Sequence, residues 1–218
     1  MNCRIVHLVS NPENDPKEKE SVHNLKTFCS KYPVEYKQCI NQIYKSLPPI
    51  ENCNRPESVA MEPGNGNLSP GHYGCFQAHK NAINLEDNLN YDFILVFEDA
   101  IINHDFQDFY EKLEYFYKIC LKEDLEIFNL GNNQGPGYTF DMDKGDYILG
   151  VHFFIPAQSY LITREKLKSV QFKLKTCPWD AYDLWVTKVA RMKTGCSKQI
   201  FTKHCSGYSY VDKCIKNF

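Results

Sequence analysis

The chain has 218 residues, enough for one domain with a full core and short of two average domains. Its 25 Lys and Arg stand against 27 Asp and Glu, a net charge of −2, which argues against nucleic-acid binding by bulk charge. With 43% apolar and 24% charged residues the composition is globular and excludes wholesale disorder. No apolar run approaches the ~20 residues of a membrane span; the purest, Phe93 to Phe97, ends at Glu98-Asp99. Met1 to His7 carries a single basic residue and reads as a first strand rather than a signal peptide, so cytoplasmic residence is expected. The ten cysteines include no C-x-x-C pair, which removes the usual signature of zinc ribbons and thioredoxin-type redox sites. Several sit in apolar patterns, as Cys3, Cys75 and Cys120 do, and are expected to be reduced structural thiols; secreted disulfides are the alternative.

In chain order, Arg4 to Val9 is a β-branched run that stops at Ser10-Asn11-Pro12, a strand ending in a polar turn. Lys17 to Lys31 places Val22, Leu25, Phe28 and Cys29 at helical spacing, and Val34 to Ile40 reads as a second strand. This strand–helix–strand opening predicts a parallel α/β unit. Ser46 to Pro70 holds five prolines and little periodicity, which predicts a long loop, either a binding loop or a passive excursion. Gly71 to Leu85 is a helix with Cys75, Phe76, His79, Ala82 and Ile83 on one face. Tyr91 to Phe97 is a strand apolar enough for the centre of a parallel sheet. The aromatic-rich repeat from Phe106 to Leu121 is the strongest helix, with Asp105 as its N-cap. Leu125 to Leu130 reads as a strand, Gln134 to Gly150 as a loop or hairpin and Ser159 to Thr163 as a strand. Arg164 to Val170 and Asp180 to Met192 read as helices, and Lys198 to Thr202 as a last strand. No repeat or linker divides the chain, so residues 1–218 are expected to form a single domain.

The sharpest feature is the buried strand running straight into Glu98-Asp99. Ligands of open α/β sheets bind outside the carboxyl ends of the strands, and two carboxylates there can hold a hard divalent cation. The other reading is an acidic turn or a cap for the next segment. Gly131 to Gly137 lacks the order of a phosphate loop and is rejected as one. Asp141-Met142-Asp143 has D-x-D spacing but sits in a polar loop, and ranks below Glu98-Asp99 as a cation site.

The segment Leu68 to Ile83, with Gly74-Cys75-Phe76-Gln77-Ala78-His79, followed by Phe93 to Ala100, resembles glycosyltransferase family 25. That family includes lipooligosaccharide and collagen galactosyltransferases; its pattern is a Gly, then Cys-Phe-x-x-His, then a hydrophobic strand ending in Glu-Asp-Asp. Phe128 to Gly131, Ala157 to Arg164 and Pro178-Trp179-Asp180 are similar to its later segments in the right order. The size and single-domain character also resemble the small glycosyltransferase domains of large algal viruses that decorate capsid protein.

The resemblance implies a GT-A fold, a Rossmann-like and mostly parallel central sheet flanked by helices. It implies a nucleotide-sugar donor, with a UDP-sugar expected, a Mn²⁺ or Mg²⁺ cofactor, and transfer to an acceptor hydroxyl on a glycan or glycoprotein. Glu98 and Asp99 match the first two acids of the motif. The third place is Ala100, a departure that puts metal dependence in question and motivates a second reading, a catalytically degenerate glycan- or protein-binding module. A third reading is another nucleotide-dependent α/β enzyme, such as a nucleotidyltransferase. His204 stands where such folds often supply a late metal ligand, unless it is a surface residue. Asp180 matches the family's Asp and is the first candidate for the base that takes the acceptor proton, with Asp183 in reserve; Asp180 equally fits an N-cap. Ser10 and Asn11 resemble the place where GT-A folds meet the nucleoside, or form a plain turn. Lys80 and Arg164 are candidate cations for the leaving diphosphate. His79 matches the family histidine, though it also lies on an apolar helix face. Phe153, Phe154, Tyr160 and Trp179 could stack on a sugar or simply pack the core.

Overall fold

The computed structural model describes residues 1–42, 44, 47, 53, 68–98, 100–131, 139–151 and 158–204. The long loop expected between Ser46 and Pro70 falls almost wholly outside them, as do Asp99, Phe153 and Phe154 and the side chain of His204.

β1 (Cys3–Val9) is buried along its whole length and lies between β2 (Val34–Ile40) and β3 (Phe93–Phe97), parallel to both. The crossover from β1 to β2 is α1 (Pro16–Lys31), started by Asp15, whose carboxylate accepts from the Lys17 N–H, and by Pro16 at its first turn. The opening is therefore the parallel unit that the sequence predicts. Beyond β3 the order continues through β8 (Ser159–Thr163), β5 (Ile127–Asn129), β9 (Thr194–Ser197), β7 (Tyr147–Leu149) and β6 (Met142–Asp143). Among the described residues the sheet has eight strands; all but β8 and β7 point the same way, so it is a large, mostly parallel sheet. β6 and β7 form the hairpin expected within 134–150.

Helices cover both faces. One face buries Ile5, Phe93, Leu95, Phe97 and Phe128 against α1 and α3 (Phe106–Lys122). Asp105 caps α3 as its sequence predicts, accepting from Gln107 N and Asp108 N. The other face buries Val6, Ile94, Val96, Tyr160 and Ile162 against α2 (Pro70–Ile83) and α4 (Arg164–Thr176). The alternation of these residues along β1 and β3 is the period of two of a pleated strand, here apolar on both faces. α2 opens with a capping box: Ser69 Oγ accepts from His72 N–H, and the His72 ring accepts from Ser69 N–H.

Three elements differ from expectation. The helix over Asp180 to Met192 is broken into one turn, α5 (Tyr182–Leu184), and a π turn at Trp185–Val189, closed where Arg191 takes φ +46°. The wider turn lets two large rings, Tyr182 and Trp185, both bury against Phe76 of α2. The last strand expected at Lys198 to Thr202 is instead split: β9 ends at Ser197, and β10 (Thr202–His204) starts after a turn that plugs Phe201 into the core. β9 escapes a hydrophobicity reading because it is Thr-Gly-Cys-Ser; a Cβ at Gly195 would lie 2.6 Å from Leu125 Cδ1 and 2.9 Å from Phe128 Cδ2, so both side chains would have to shift to admit it. β4 (Ala100–Ile102) pairs antiparallel with β10 outside the main sheet. No helix of the described residues is long and apolar enough to cross a membrane. The eight described cysteines form no disulfide, and burial pushes the Cys3 and Cys29 thiols up to about 12.

Candidate functional site

The carboxyl ends of β1 and β3 share one edge of the sheet, because His7 pairs with Phe97. Glu98 follows β3 on that edge. Its backbone N–H donates to Gln158 O at 2.9 Å, which ties it to the start of β8. Its carboxylate Oε1 lies 2.7 Å from His79 Nε2 and 3.4 Å from Cys75 Sγ. Cys75 and His79 are four residues apart on α2, so they lie on the same helix face. The other ring nitrogen of His79, Nδ1, lies 2.7 Å from the buried Tyr160 hydroxyl. With Glu98 as a carboxylate, Nε2 must be the donor toward it. Nδ1 of a neutral ring is then the acceptor, and Tyr160 donates. Burial holds the Tyr160 hydroxyl well above its usual pKa, so it keeps its proton. Tyr182 stacks on the His79 ring at 3.7 Å and 8°. Glu98 Oε1 is thus committed to the protein, while Oε2 has no partner among the described residues and the side chain is 23% exposed.

Three other expected residues converge on this edge. β10 pairs with β4 in the register His204↔Ala100, placing position 204 beside the turn that follows Glu98. Gln158 fixes that docking: its side-chain Nε2 donates to Gly131 O at 2.7 Å and to Thr202 O at 3.1 Å. The segment with Asp180 and Asp183 packs on the same cluster through Tyr182, whose hydroxyl is raised chiefly by burial, with the charge of Asp183 contributing. Asp180 is buried and accepts from its neighbour Ala181 N–H at 2.7 Å; Ala181 is the N-cap of α5, so the capping role open to Asp180 is not the one adopted. Asp183 is half-buried.

Ser10 and Asn11 also lie on this edge, after β1. Their backbone N–H groups donate to the buried Glu18 carboxylate of α1, at 3.0 Å from Ser10 and 2.7 Å from Asn11, so the turn's backbone donors are already taken. Lys80 follows His79 on α2 and is half-buried. Arg164 is elsewhere. Antiparallel β8 ends level with Phe93, so Arg164 starts α4 at the opposite edge, where its backbone N–H donates to Asp92 O at 2.9 Å. Five residues of β3 separate it from Glu98, about 15 Å of strand. Tyr160 and Trp179 are buried in the core, where they cannot offer an open face to a sugar. Asp143, in the D-x-D stretch, pairs with Lys198 Nζ at 2.5 Å.

Ala100 has no exposure, and packs with Phe97 and Ile102. Its carbonyl accepts from Ser21 Oγ at 2.6 Å, Ser21 accepts from His7 Nε2 at 2.9 Å, and His7 Nδ1 accepts from the Tyr36 hydroxyl at 2.8 Å. A side chain at position 100 points into the core, where it could not ligate a cation at the surface edge.

Gln158, Tyr182 and Cys75 were not legible as site residues, and Tyr160, expected to stack on a sugar or pack the core, also bonds His79. Each acts through its contact with Glu98, His79 or β10, and those contacts join residues from distant parts of the chain.

No family model matches the sequence, and no curated protein does. Solved structures do. The crystal structure of a glycosyltransferase involved in the glycosylation of the major capsid of PBCV-1 superposes over 99% of this chain and 97% of its own, with TM-score 0.50 and 10% identity. The crystal structure of S. aureus TarS 1-349 matches over 94% of this chain at TM-score 0.45 and 13% identity; the present chain spans 61% of that one. The fold is that of a glycosyltransferase.

Proposed function

We propose that the protein is a GT-A glycosyltransferase of the family 25 type, transferring a sugar from a nucleotide donor, a UDP-sugar, to a hydroxyl of a glycan or glycoprotein. One observation carries the reading: in a glycosyltransferase fold, the strand-terminal acid Glu98 keeps one carboxylate oxygen without a partner among the described residues at the carboxyl edge of the sheet, where β10 and the Asp180–Asp183 segment meet it. The PBCV-1 neighbour acts in capsid glycosylation, which supports a glycoprotein acceptor.

The donor set fits a hard divalent cation. Glu98 Oε2 offers an anionic oxygen, Asp99 follows it in sequence, and the backbone register brings position 204 alongside. Glu98, Asp99 and His204 would hold Mn²⁺ or Mg²⁺, which supplies Lewis-acid stabilisation of the departing diphosphate. The protein's own residues do the rest. His79, gripped between Tyr160 and Tyr182, fixes the Glu98 carboxylate so that no reorientation is needed when the ligand arrives. Lys80 adds positive charge one residue from His79. Asp183, half-buried beside Tyr182, and Asp180 are the carboxylates placed to take the acceptor proton, a contribution typically worth about 10²–10⁴-fold. Ser10 and Asn11 offer side chains to the nucleoside at the end of β1.

Calorimetry with UDP and Mn²⁺ tests this. Wild type binds UDP in a Mn²⁺-dependent way, and Asp99→Ala loses at least about tenfold in affinity, some 1.4 kcal/mol. Equal binding by the variant would remove Asp99 from the site.

A further inference from the structure

Cys75, His79 and Glu98 have a chemistry that the donor reading does not use. A thiol sulfur, an imidazole nitrogen and a carboxylate oxygen lie within 4.8 Å of one another. Two come from one helix at i and i+4 and the third from the adjoining strand end, so the backbone already brings them together. The His79 ring is fully buried, oriented by Tyr160 on its far nitrogen and clamped face-on by Tyr182. That outer contact is what a metal-bound histidine characteristically has. Glu98 is anchored through its backbone to Gln158. Cys75 and Glu98 are both partly exposed, so solvent and ions can reach the cluster.

We infer that Cys75 Sγ, His79 Nε2 and Glu98 Oε1 form a binding site for a thiophilic divalent cation, Zn²⁺ in the first instance. The donor softness decides the ion: thiolate with imidazole selects zinc over Mg²⁺ or Mn²⁺, which prefer all-oxygen shells. Three protein ligands and one open position is the zinc pattern of solvent-accessible sites. Tetrahedral zinc places N and O ligands on the order of 3.4 Å apart. The His79–Glu98 contact of 2.7 Å therefore opens by about 0.7 Å, and the 3.4 Å Cys75–Glu98 contact barely changes. The proton balance is defined. Cys75 gives up its thiol proton to solvent. Nε2 of His79 must be free of a proton to bind the ion, and Nδ1–H then donates to Tyr160. The Cys75 thiol proton leaves with each ion bound. Glu98 Oε2 is not consumed, so the two cations would share the Glu98 carboxylate through different oxygens, and failure of the zinc site would leave the donor reading untouched.

The test uses the wild-type chain. Iodoacetamide labelling is followed residue by residue by peptide mass spectrometry, with Zn²⁺, with Mg²⁺ and with neither. Zn²⁺ should slow alkylation of Cys75 at least tenfold and leave half-buried Cys177 unchanged, while Mg²⁺ should do nothing. Equal labelling of Cys75 in all three conditions overturns the inference. Co²⁺ provides the second arm. Wild type and Cys177→Ser should show a thiolate-to-cobalt charge-transfer band that Cys75→Ser and Cys75→Ala lack. A band of full strength in folded Cys75→Ser or Cys75→Ala also overturns it.

Discussion

Tyr160 and Glu98 bond to opposite nitrogens of one buried ring, His79. Tyr160 sits in β8 opposite Val96, and Glu98 follows the strand that Val96 belongs to. The imidazole therefore bridges two neighbouring strands at the edge where the sheet ends, and it sets both the orientation of Glu98 and the tautomer of His79. Removing the hydroxyl leaves Nδ1 of a fully buried ring without a donor. Tyr160→Phe is expected to lower stability by about 1–3 kcal/mol, read as a lower urea midpoint at unchanged slope. An unchanged midpoint would mean that the ring is held by packing alone.

Gln158 is the second brace. Its side chain donates to two carbonyls from different parts of the chain, Gly131 and Thr202, inside the fold. Gln158→Leu strands both acceptors and is expected to cost about 2–4 kcal/mol, summed over two groups. Hydrogen exchange at the β10 amides, which depend on this docking, should accelerate more than exchange in β3. Uniform acceleration would assign Gln158 to global stability only.

Ala100→Asp tests why the third acid is missing. The new carboxylate would enter an apolar cluster beside Phe97 with no cation to pair with. It should cost about 3 kcal/mol or more and should not raise affinity for Mn²⁺. Tighter Mn²⁺ binding by a folded variant would show that position 100 reaches the cation after all.

Arg4 makes the fold sensitive to acid. Its buried guanidinium bonds Glu35 at 2.6 Å and Asp87 at 2.7 Å. The Tyr91 hydroxyl, with Arg4, holds Glu35 below its usual pKa, and Arg4 holds Asp87 below its own. A carboxylate depressed in the folded state binds fewer protons there than in the unfolded chain. Its stabilisation is complete above the unfolded pKa, near 4, and is lost as pH falls through the lower folded value. Both carboxylates are about half exposed, so solvent screens much of the effect. Wild type should lose stability between about pH 4 and pH 2, and Arg4→Met should be less stable at neutral pH with a flatter acid limb. An identical acid limb in the variant would place the acid sensitivity elsewhere.

How far the sequence could be read depended on the range of the contacts. The crossover β1–α1–β2 and the capped α3 were legible because strand alternation, Asp15, Pro16 and Asp105 act over a few residues. Glu98 was legible because a buried strand ended in acid. β9 and β10 were not, because Thr194 to Ser197 gains its burial from Leu125 and Phe128 across the sheet, and β10 forms only where Gln158 and β4 receive it. The break after Leu184 reflects two aromatic rings competing for one surface of α2, a contest invisible to helical spacing. Arg164 was expected as a cation for the leaving diphosphate; β8 runs antiparallel, which sends its carboxyl end to the edge opposite Glu98.

The central claim is that a nucleotide diphosphate and a divalent cation bind where β3 gives way to Glu98. A crystal structure with UDP and Mn²⁺ tests it most directly. Mn²⁺ is expected between the diphosphate and the acids at 98 and 99, with the nucleoside over the end of β1. Nucleotide bound at the Arg164 edge, or nowhere under saturating conditions, would contradict it.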